Sequence, residues 1–284
     1  MQLIPNLFFL VTLLASTSCA KLTAVPPPFD LNLANSTLYL AVAVLCDQAT
    51  FASRDYIGPS AGFQHKATLY DAKTDTVGMV GLLDKQIFVL FRGTTSWNNW
   101  VSDAEAWQDD PHYEGCADCA IHHGFHRCMD AIRDQLFASV STLRKSYPSY
   151  PIVVGGHSLG GAIATLAAVD IVASGVPSLH VRHYTFGSPR VGNKAFAQYA
   201  DALLPTTQRI THYKDPVPHA PPQYIPMVGA YEHLLSEVYE SEEHSLKACK
   251  GVSDPTCMMQ WRDTQTDASD HSLYLDLCTS CSCV

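Results

Sequence analysis

Ile152-Val153-Val154-Gly155-Gly156-His157-Ser158-Leu159-Gly160-Gly161 is the stretch on which the fold turns. An apolar run from Pro151 to Val154 reads as a short buried strand, and the small apolar residues from Leu159 onward read as a helix. Between them Gly156, Ser158 and Gly160 match the Gly-x-Ser-x-Gly elbow, a strained strand-to-helix turn that lifts a serine Oγ above the sheet. The glycines are required because strand and helix approach so closely there that a Cβ on either flank would clash. The bare pattern is weak, but its placement between strand and helix makes it specific.

Outward from the elbow the chain alternates. Val181 to Phe186 reads as a strand, Lys194 to Leu204 as a helix and Ile210 to Tyr213 as a further strand. Upstream, Phe125, Met129, Ile132, Leu136, Val140 and Leu143 recur at steps of three and four and mark a long one-faced helix. Thr76 to Leu83 and Gln86 to Phe91, joined at Asp84-Lys85, read as a hairpin. Helices and strands in alternation imply an α/β fold, a mostly parallel central sheet with helices on both faces. Near the start, Asn35-Ser36-Thr37 opens an apolar helical run through Cys46, and Asn35 fits a helix N-cap and a glycosylation acceptor equally well.

A serine hydroxyl is almost wholly protonated near neutrality, so a nucleophilic Ser158 needs a base and a carboxylate that orients the base. Elbow enzymes supply them in the order Ser, Asp or Glu, His. Asp215 is the acid: it follows the strand ending at Tyr213, at the carboxyl end where sites of open α/β sheets collect. Asp170 and Asp201 fall on predicted helices and read as solvated faces. Four histidines follow Asp215. His219 is too close in sequence, and His244 sits in a charged stretch with Glu242 and Glu243. Of the remaining two, His271 comes late, as a third member should, and is the base. His233 is expected to hydrogen-bond within the fold, and Asp270 to lie at the surface.

With 284 residues, 47% of them apolar and 16% charged, the chain is long enough and apolar enough to build a sizeable core, which excludes intrinsic disorder. A formal charge of -9 argues against nucleic-acid binding. Residues 1–20 read as a signal peptide: Leu7 to Ala15 is apolar except for Thr12, too short to span a bilayer, and small residues follow through Ser18-Cys19-Ala20. No other stretch approaches a membrane span, so residues 21–284 are expected to form one soluble, secreted domain. Trp97, Trp100, Val101, Ala104 and Trp107 line one side of an amphipathic helix that holds three of the four tryptophans, while its other side is acidic. Such a stripe either packs on the core or meets a substrate surface. Cys116 and Cys119, with His122, His123, His126 and Cys128, look superficially like a zinc site, but they crowd into one short segment of a chain read as secreted. A local disulfide is the better reading, and neither metal nor cofactor is expected.

Four motifs now stand in order: Phe91-Arg92-Gly93-Thr94-Thr95-Ser96 with Asn99-Trp100; Gly156-His157-Ser158-Leu159-Gly160-Gly161; Tyr184-Thr185-Phe186-Gly187-Ser188-Pro189-Arg190-Val191-Gly192-Asn193; and Asp215-Pro216-Val217-Pro218-His219. With His271 they resemble the class 3, fungal-type (Rhizomucor-like) lipases of the α/β-hydrolase fold, over about residues 35 to 281. The resemblance implies hydrolysis of carboxylic esters through an acyl-enzyme, with a helical lid over the serine. It places the oxyanion hole at the backbone N–H of Leu159 and at Thr94, and it makes Trp97, Trp100, Val101 and Trp107 the lid. The implied partner is an ester or lipid at an oil–water interface, and the acidic face of the lid suits a neutral surface better than an anionic one. A triacylglycerol lipase fits best. A feruloyl esterase and a phospholipase A1 share the same motifs, and a non-catalytic lipid-binding or acyl-transfer protein is a further alternative, against which an intact Ser158, Asp215, His271 and Thr94 count. Relatives carry a short loop like Cys116–Cys119. Cys249 with Cys257 is the next pair, Cys46 joins Cys281 or Cys278, and two of the tail cysteines can close on each other, which leaves Cys128 over.

Overall fold

The computed structural model describes residues 28–94 and 107–284. The signal segment read over residues 1–20 and most of the tryptophan stripe, with Trp97, Trp100, Val101 and Ala104, lie outside the described residues.

Eight strands form the central sheet: β1 (Gln64–Asp71), β2 (Thr76–Leu83), β3 (Gln86–Phe91), β4 (Ile152–His157), β5 (Val181–Phe186), β6 (Gln208–His212), β7 (Glu237–Glu240) and β8 (Leu246–Ala248), side by side in chain order. The first three are antiparallel, β3 through β7 are parallel, and β8 returns antiparallel to β7. The β2–β3 hairpin closes through Asp84 and Lys85, both at positive φ, the turn geometry that matches the twist of the strands. Every residue of β4 is buried, because both faces of a parallel strand are covered by helices. Successive residues feed opposite layers: Ile87, Val89, Phe91, Ile152 and Val154 enter one core, and Phe88, Leu90 and Val153 the other.

Helix α1 (Leu31–Ala43) covers the second of these cores; α2 (His123–Ser146), α3 (Leu159–Ala173) and α4 (Lys194–Leu203) cover the first. From β2 to β6 the alternation of elements is the one expected from the sequence; β1, β7 and β8 are strands beyond that expectation, and the readings of Asn35, Asp170 and Asp201 are corrected. Helix α1 begins four residues earlier than Asn35, because the carboxylate of Asp30 caps it by accepting from the Leu33 N–H at 3.1 Å. Asn35 therefore lies within the helix and is not its cap. Asp170 is not on a solvated face either. Helix α3 is enclosed almost all round, so its one carboxylate is paired, with the Tyr113 hydroxyl at 2.8 Å and Arg133 Nη1 at 2.7 Å. Asp201 also has a structural task, accepting from the Leu235 N–H at 3.0 Å.

Disulfides join Cys46 to Cys281, Cys116 to Cys119, Cys249 to Cys257 and Cys278 to Cys283. The first ties the end of α1 to the chain's tail, and Cys128 takes part in none of the four. Among the described residues no helix is long and apolar enough to cross a membrane.

Candidate active site

Ser158 stands between β4 and α3 with φ 58° and ψ -131°, a conformation that costs an ordinary side chain energy and persists only where the surroundings impose it. Here the surroundings are tight. A Cβ on Gly156 would strike the Gly160 carbonyl, and one on Gly160 would strike the carbonyl oxygen of Phe91. The Ser158 N–H donates to the Phe186 carbonyl at 2.9 Å, which ties the elbow to the neighbouring strand β5. Ser158 is buried, and it occupies the N-terminal end of a helix of fifteen residues, where backbone N–H groups and the helix dipole favour negative charge.

Asp215 and His271, 56 residues apart, come together at the same end of the sheet. Asp215 follows β6, and His271 sits in the short turn Ala268–Ser272. His271 Nδ1 lies 2.8 Å from Asp215 Oδ2, both residues being buried. The other carboxylate oxygen, Oδ1, accepts from the Val217 N–H at 2.8 Å. Burial works to raise the pKa of Asp215, but His271, the Tyr274 hydroxyl and the Val217 N–H together hold it below the usual carboxylate range. The acid is therefore ionised, as an orienting partner of imidazole must be.

Two contacts bring this pair against the elbow. His157 Nε2 donates to the His271 carbonyl at 2.9 Å, and the two rings stack with centroids 4.4 Å apart. Burial and the neighbouring His271 push His157 down to about 3, so it is neutral and serves as a packing and hydrogen-bonding element. Gly187, at φ 58°, makes room: a Cβ there would come within 2.8 Å of Asp215 Oδ2 and of the Tyr274 hydroxyl. Neither His157 nor Tyr274 stands out in the sequence, because ring stacking and a hydroxyl aimed at a distant carboxylate leave no spacing pattern.

Thr94 lies just beyond β3, half-buried. Because Phe91 pairs with Gly156, the residues after β3 run beside the elbow, and a Cβ on Gly93 would sit 3.3 Å from Ser158 Cβ. Gly93, the residue before Thr94, is thus packed directly against the elbow. Behind Asp215, Arg190 donates Nη1 to the carbonyls of His219 and Pro221, at 2.5 and 2.7 Å, and fixes the loop that carries the acid.

The remaining sequence candidates have structural surroundings. His233 Nε2 donates to the Pro218 carbonyl at 2.7 Å, and His219 lies 3.4 Å from Asp263. His123 and His126 both face Asp109, at 2.7 and 3.2 Å, while Cys116 and Cys119 are bonded to each other. Trp107 is 43% exposed, with its ring against His123 at 4.7 Å, so this end of the tryptophan stripe is not part of the core.

Residues 88–225 match the family model Lipase (class 3). The secreted mono- and diacylglycerol lipase 1 of Fusarium solani is 33% identical over 181 residues, 61% of this chain and 52% of that protein. The lipase of Rhizomucor miehei is 38% identical over 209 residues, 72% of this chain and 56% of that protein. The chain thus spans about half the length of these curated relatives. A fungal lipase–inhibitor complex, solved as a model for interfacial activation in lipases, superposes with a TM-score of 0.79 at 30% identity, covering 88% of this chain and 96% of that one. Elbow, sheet order and these likenesses agree: the chain belongs to the class 3 lipase family of the α/β-hydrolase fold.

Proposed function

We propose that the chain is a secreted serine ester hydrolase, a triacylglycerol lipase in its substrate, working through an acyl-enzyme. The observation that carries this reading is the buried Asp215–His271 pair, packed directly against the Ser158 elbow. In this mechanism His271 Nε2 takes the proton of Ser158 Oγ as that oxygen attacks the ester carbonyl. Asp215 keeps the proton on Nδ1 and stabilises the imidazolium that forms. The Leu159 N–H and Thr94 meet the charge on the tetrahedral oxygen, a contribution worth roughly 3–4 kcal/mol per donor in comparable sites. His271 then passes its proton to the leaving alcohol, and water attacks the acyl-enzyme by the same route to release the acid.

Trp97, Trp100, Val101 and Trp107 are the lid in this reading. Their apolar side meets neutral lipid when open, each buried aromatic contributing roughly 1.5–3 kcal/mol. Residues 1–20 are the removed signal and 21–284 one domain, and four disulfides suit an oxidising compartment. Parallel assays on tributyrin, trioctanoin, lecithin and methyl ferulate test the substrate. Triglyceride hydrolysis that rises abruptly once the ester exceeds its solubility is the expected result. Preference for lecithin or for methyl ferulate replaces the lipase reading with phospholipase A1 or feruloyl esterase, and no hydrolysis of any of them overturns it.

A further inference from the structure

A second cluster of polar side chains lies behind the loop that carries His271. His212 ends β6 and Glu240 ends β7, paired in the parallel register, and His244 returns to them through the turn in which the Ser241 N–H donates to the Ser245 carbonyl. One nitrogen or carboxylate oxygen from each of His212, Glu240 and His244 lies within 4.8 Å of the other two.

Glu240 is fully buried, and its oxygens accept from the Leu275 N–H at 2.9 and 3.1 Å. Among the described residues its ion-pair partner is His244, Nδ1 to Oε1 at 2.7 Å, with no lysine or arginine paired to it. A fully buried carboxylate with so little counter-charge beside it is a place where a cation finds a partner. His212 is buried too, and its Nδ1 lies 3.0 Å from the Asp270 carbonyl. A carbonyl only accepts, so Nδ1 carries the proton and Nε2 the lone pair. That Nε2 is buried and has no hydrogen-bond partner among the described residues. An imidazole whose N–H is fixed on a carbonyl and whose lone pair is unspent is prepared as a metal ligand. His244 has an orienting partner of the same kind, Asp276, whose Oδ1 lies 3.2 Å from its Nε2.

We propose that His212 Nε2, His244 Nδ1 and Glu240 Oε1 form a binding site for a zinc-class divalent cation. Two imidazoles and one carboxylate are a donor set of borderline softness, suited to zinc and its neighbours and not to calcium or magnesium. The ion displaces the proton between His244 and Glu240, which is released to solvent, and the two atoms open from 2.7 Å to about 3.3 Å, the separation of neighbouring ligands around tetrahedral zinc. Water completes the coordination from the side of His244, which is one-quarter exposed. The bound ion clamps the ends of β6 and β7 to the 268–276 segment, since His212 holds Asp270 and Glu240 holds Leu275. The three ligands are distinct from Ser158, Asp215 and His271, but the site adjoins them, since His212 accepts the Asp215 N–H on its carbonyl at 2.9 Å and its ring lies 5.6 Å from Tyr274.

The test is titration of the chelator-treated full chain with zinc chloride by calorimetry, together with the visible d–d absorption of added cobalt(II). One ion per chain is expected, with affinity reduced at least tenfold in His244→Ala and in His212→Gln, and with the cobalt bands lost in both. His126→Ala, which removes a histidine from the separate Asp109 cluster, keeps wild-type binding. His244 is the variant that reads out the site even if His212→Gln fails to fold. No binding up to millimolar zinc overturns the proposal, as does binding unchanged in His244→Ala or abolished in His126→Ala.

Discussion

Tyr274 donates its hydroxyl at 2.5 Å to Asp215 Oδ2, the same oxygen that faces His271 Nδ1. The ring is fully buried, and burial beside the Asp215 carboxylate drives the phenol far above its ordinary pKa, so it stays a donor at every working pH. Hydrogen bonds to a charged group are worth about 1.5–3 kcal/mol, and this one helps to keep the acid ionised without water. Tyr274→Phe is expected to lower kcat on p-nitrophenyl butyrate about tenfold with KM nearly unchanged, and to lower stability by about 1–3 kcal/mol. Steady-state kinetics and urea unfolding of the variant read both.

Gly187 is the second position on which the Asp215–His271 pair depends. Gly187→Ala adds a methyl 2.8 Å from Asp215 Oδ2 and 3.0 Å from His271 Cε1, in a backbone region alanine adopts at a cost of roughly 1–2 kcal/mol. Displacing the pair should reduce kcat by about 10–100-fold. Gly175 is the comparison: it also has positive φ but faces open space, so Gly175→Ala should lose stability by a similar backbone cost and keep its rate. Equal activity losses in the two variants would remove the special role of Gly187.

Acid sensitivity follows from buried neutral histidines. Burial holds His157 and His183 at about 3 and His122 at about 4, against an ordinary value of 6.5. The unfolded chain protonates these rings once the pH drops below 6.5, while the folded chain does not. It therefore binds more protons between 6.5 and about 3, and stability falls as pH falls through that window. Asp201, raised by burial to about 6, acts in the opposite sense between 3.8 and 6, because there the folded chain is the one that keeps the proton. Burial lowers His233, His219 and His65 as well, and raises Asp170 and Asp270 alongside Asp201, so the histidines outnumber the opposing carboxylates. The urea midpoint should drop steadily from pH 7 to pH 4.5, and His183→Gln should flatten the slope by close to one proton; a midpoint constant over that range contradicts the assignment.

The Cys46–Cys281 disulfide closes a loop across a sequence separation of 235 and anchors the tail beyond His271 to α1. Loop-closure entropy gives such a bond about 5 kcal/mol, and loss of a native disulfide typically costs about 2–5 kcal/mol. The double variant Cys46→Ser, Cys281→Ser should show a loss of that order in urea unfolding, and a loss below about 0.5 kcal/mol would mean that the tail is held by packing instead.

What the sequence made legible follows from where side chains point. β4, β5 and helices α2 to α4 carry apolar periodicity, and the elbow glycines mark close backbone approach, so fold class and candidate site residues could be read directly. β7 could not, because two of its four residues are glutamates. Buried Glu237 is satisfied by Arg209 at 3.0 Å and Thr211 at 2.8 Å, partners that only the folded sheet supplies. For the same reason Asp170 reads as a surface residue until Arg133 and Tyr113 are placed beside it. The support around Asp215 and His271, from Tyr274, His157 and Arg190, is likewise invisible in one dimension, since each contact joins residues tens of positions apart.

The most direct measurement is the turnover of p-nitrophenyl butyrate by Ser158→Ala, with circular dichroism and urea unfolding to confirm an intact fold. If Ser158 is the nucleophile, kcat falls by at least about 10³-fold while the folded structure is kept, and a fluorophosphonate probe labels the wild-type chain at Ser158 alone. Hydrolysis by the variant at the wild-type rate, or stoichiometric labelling at another residue, contradicts the assignment of Ser158 and with it the proposed chemistry.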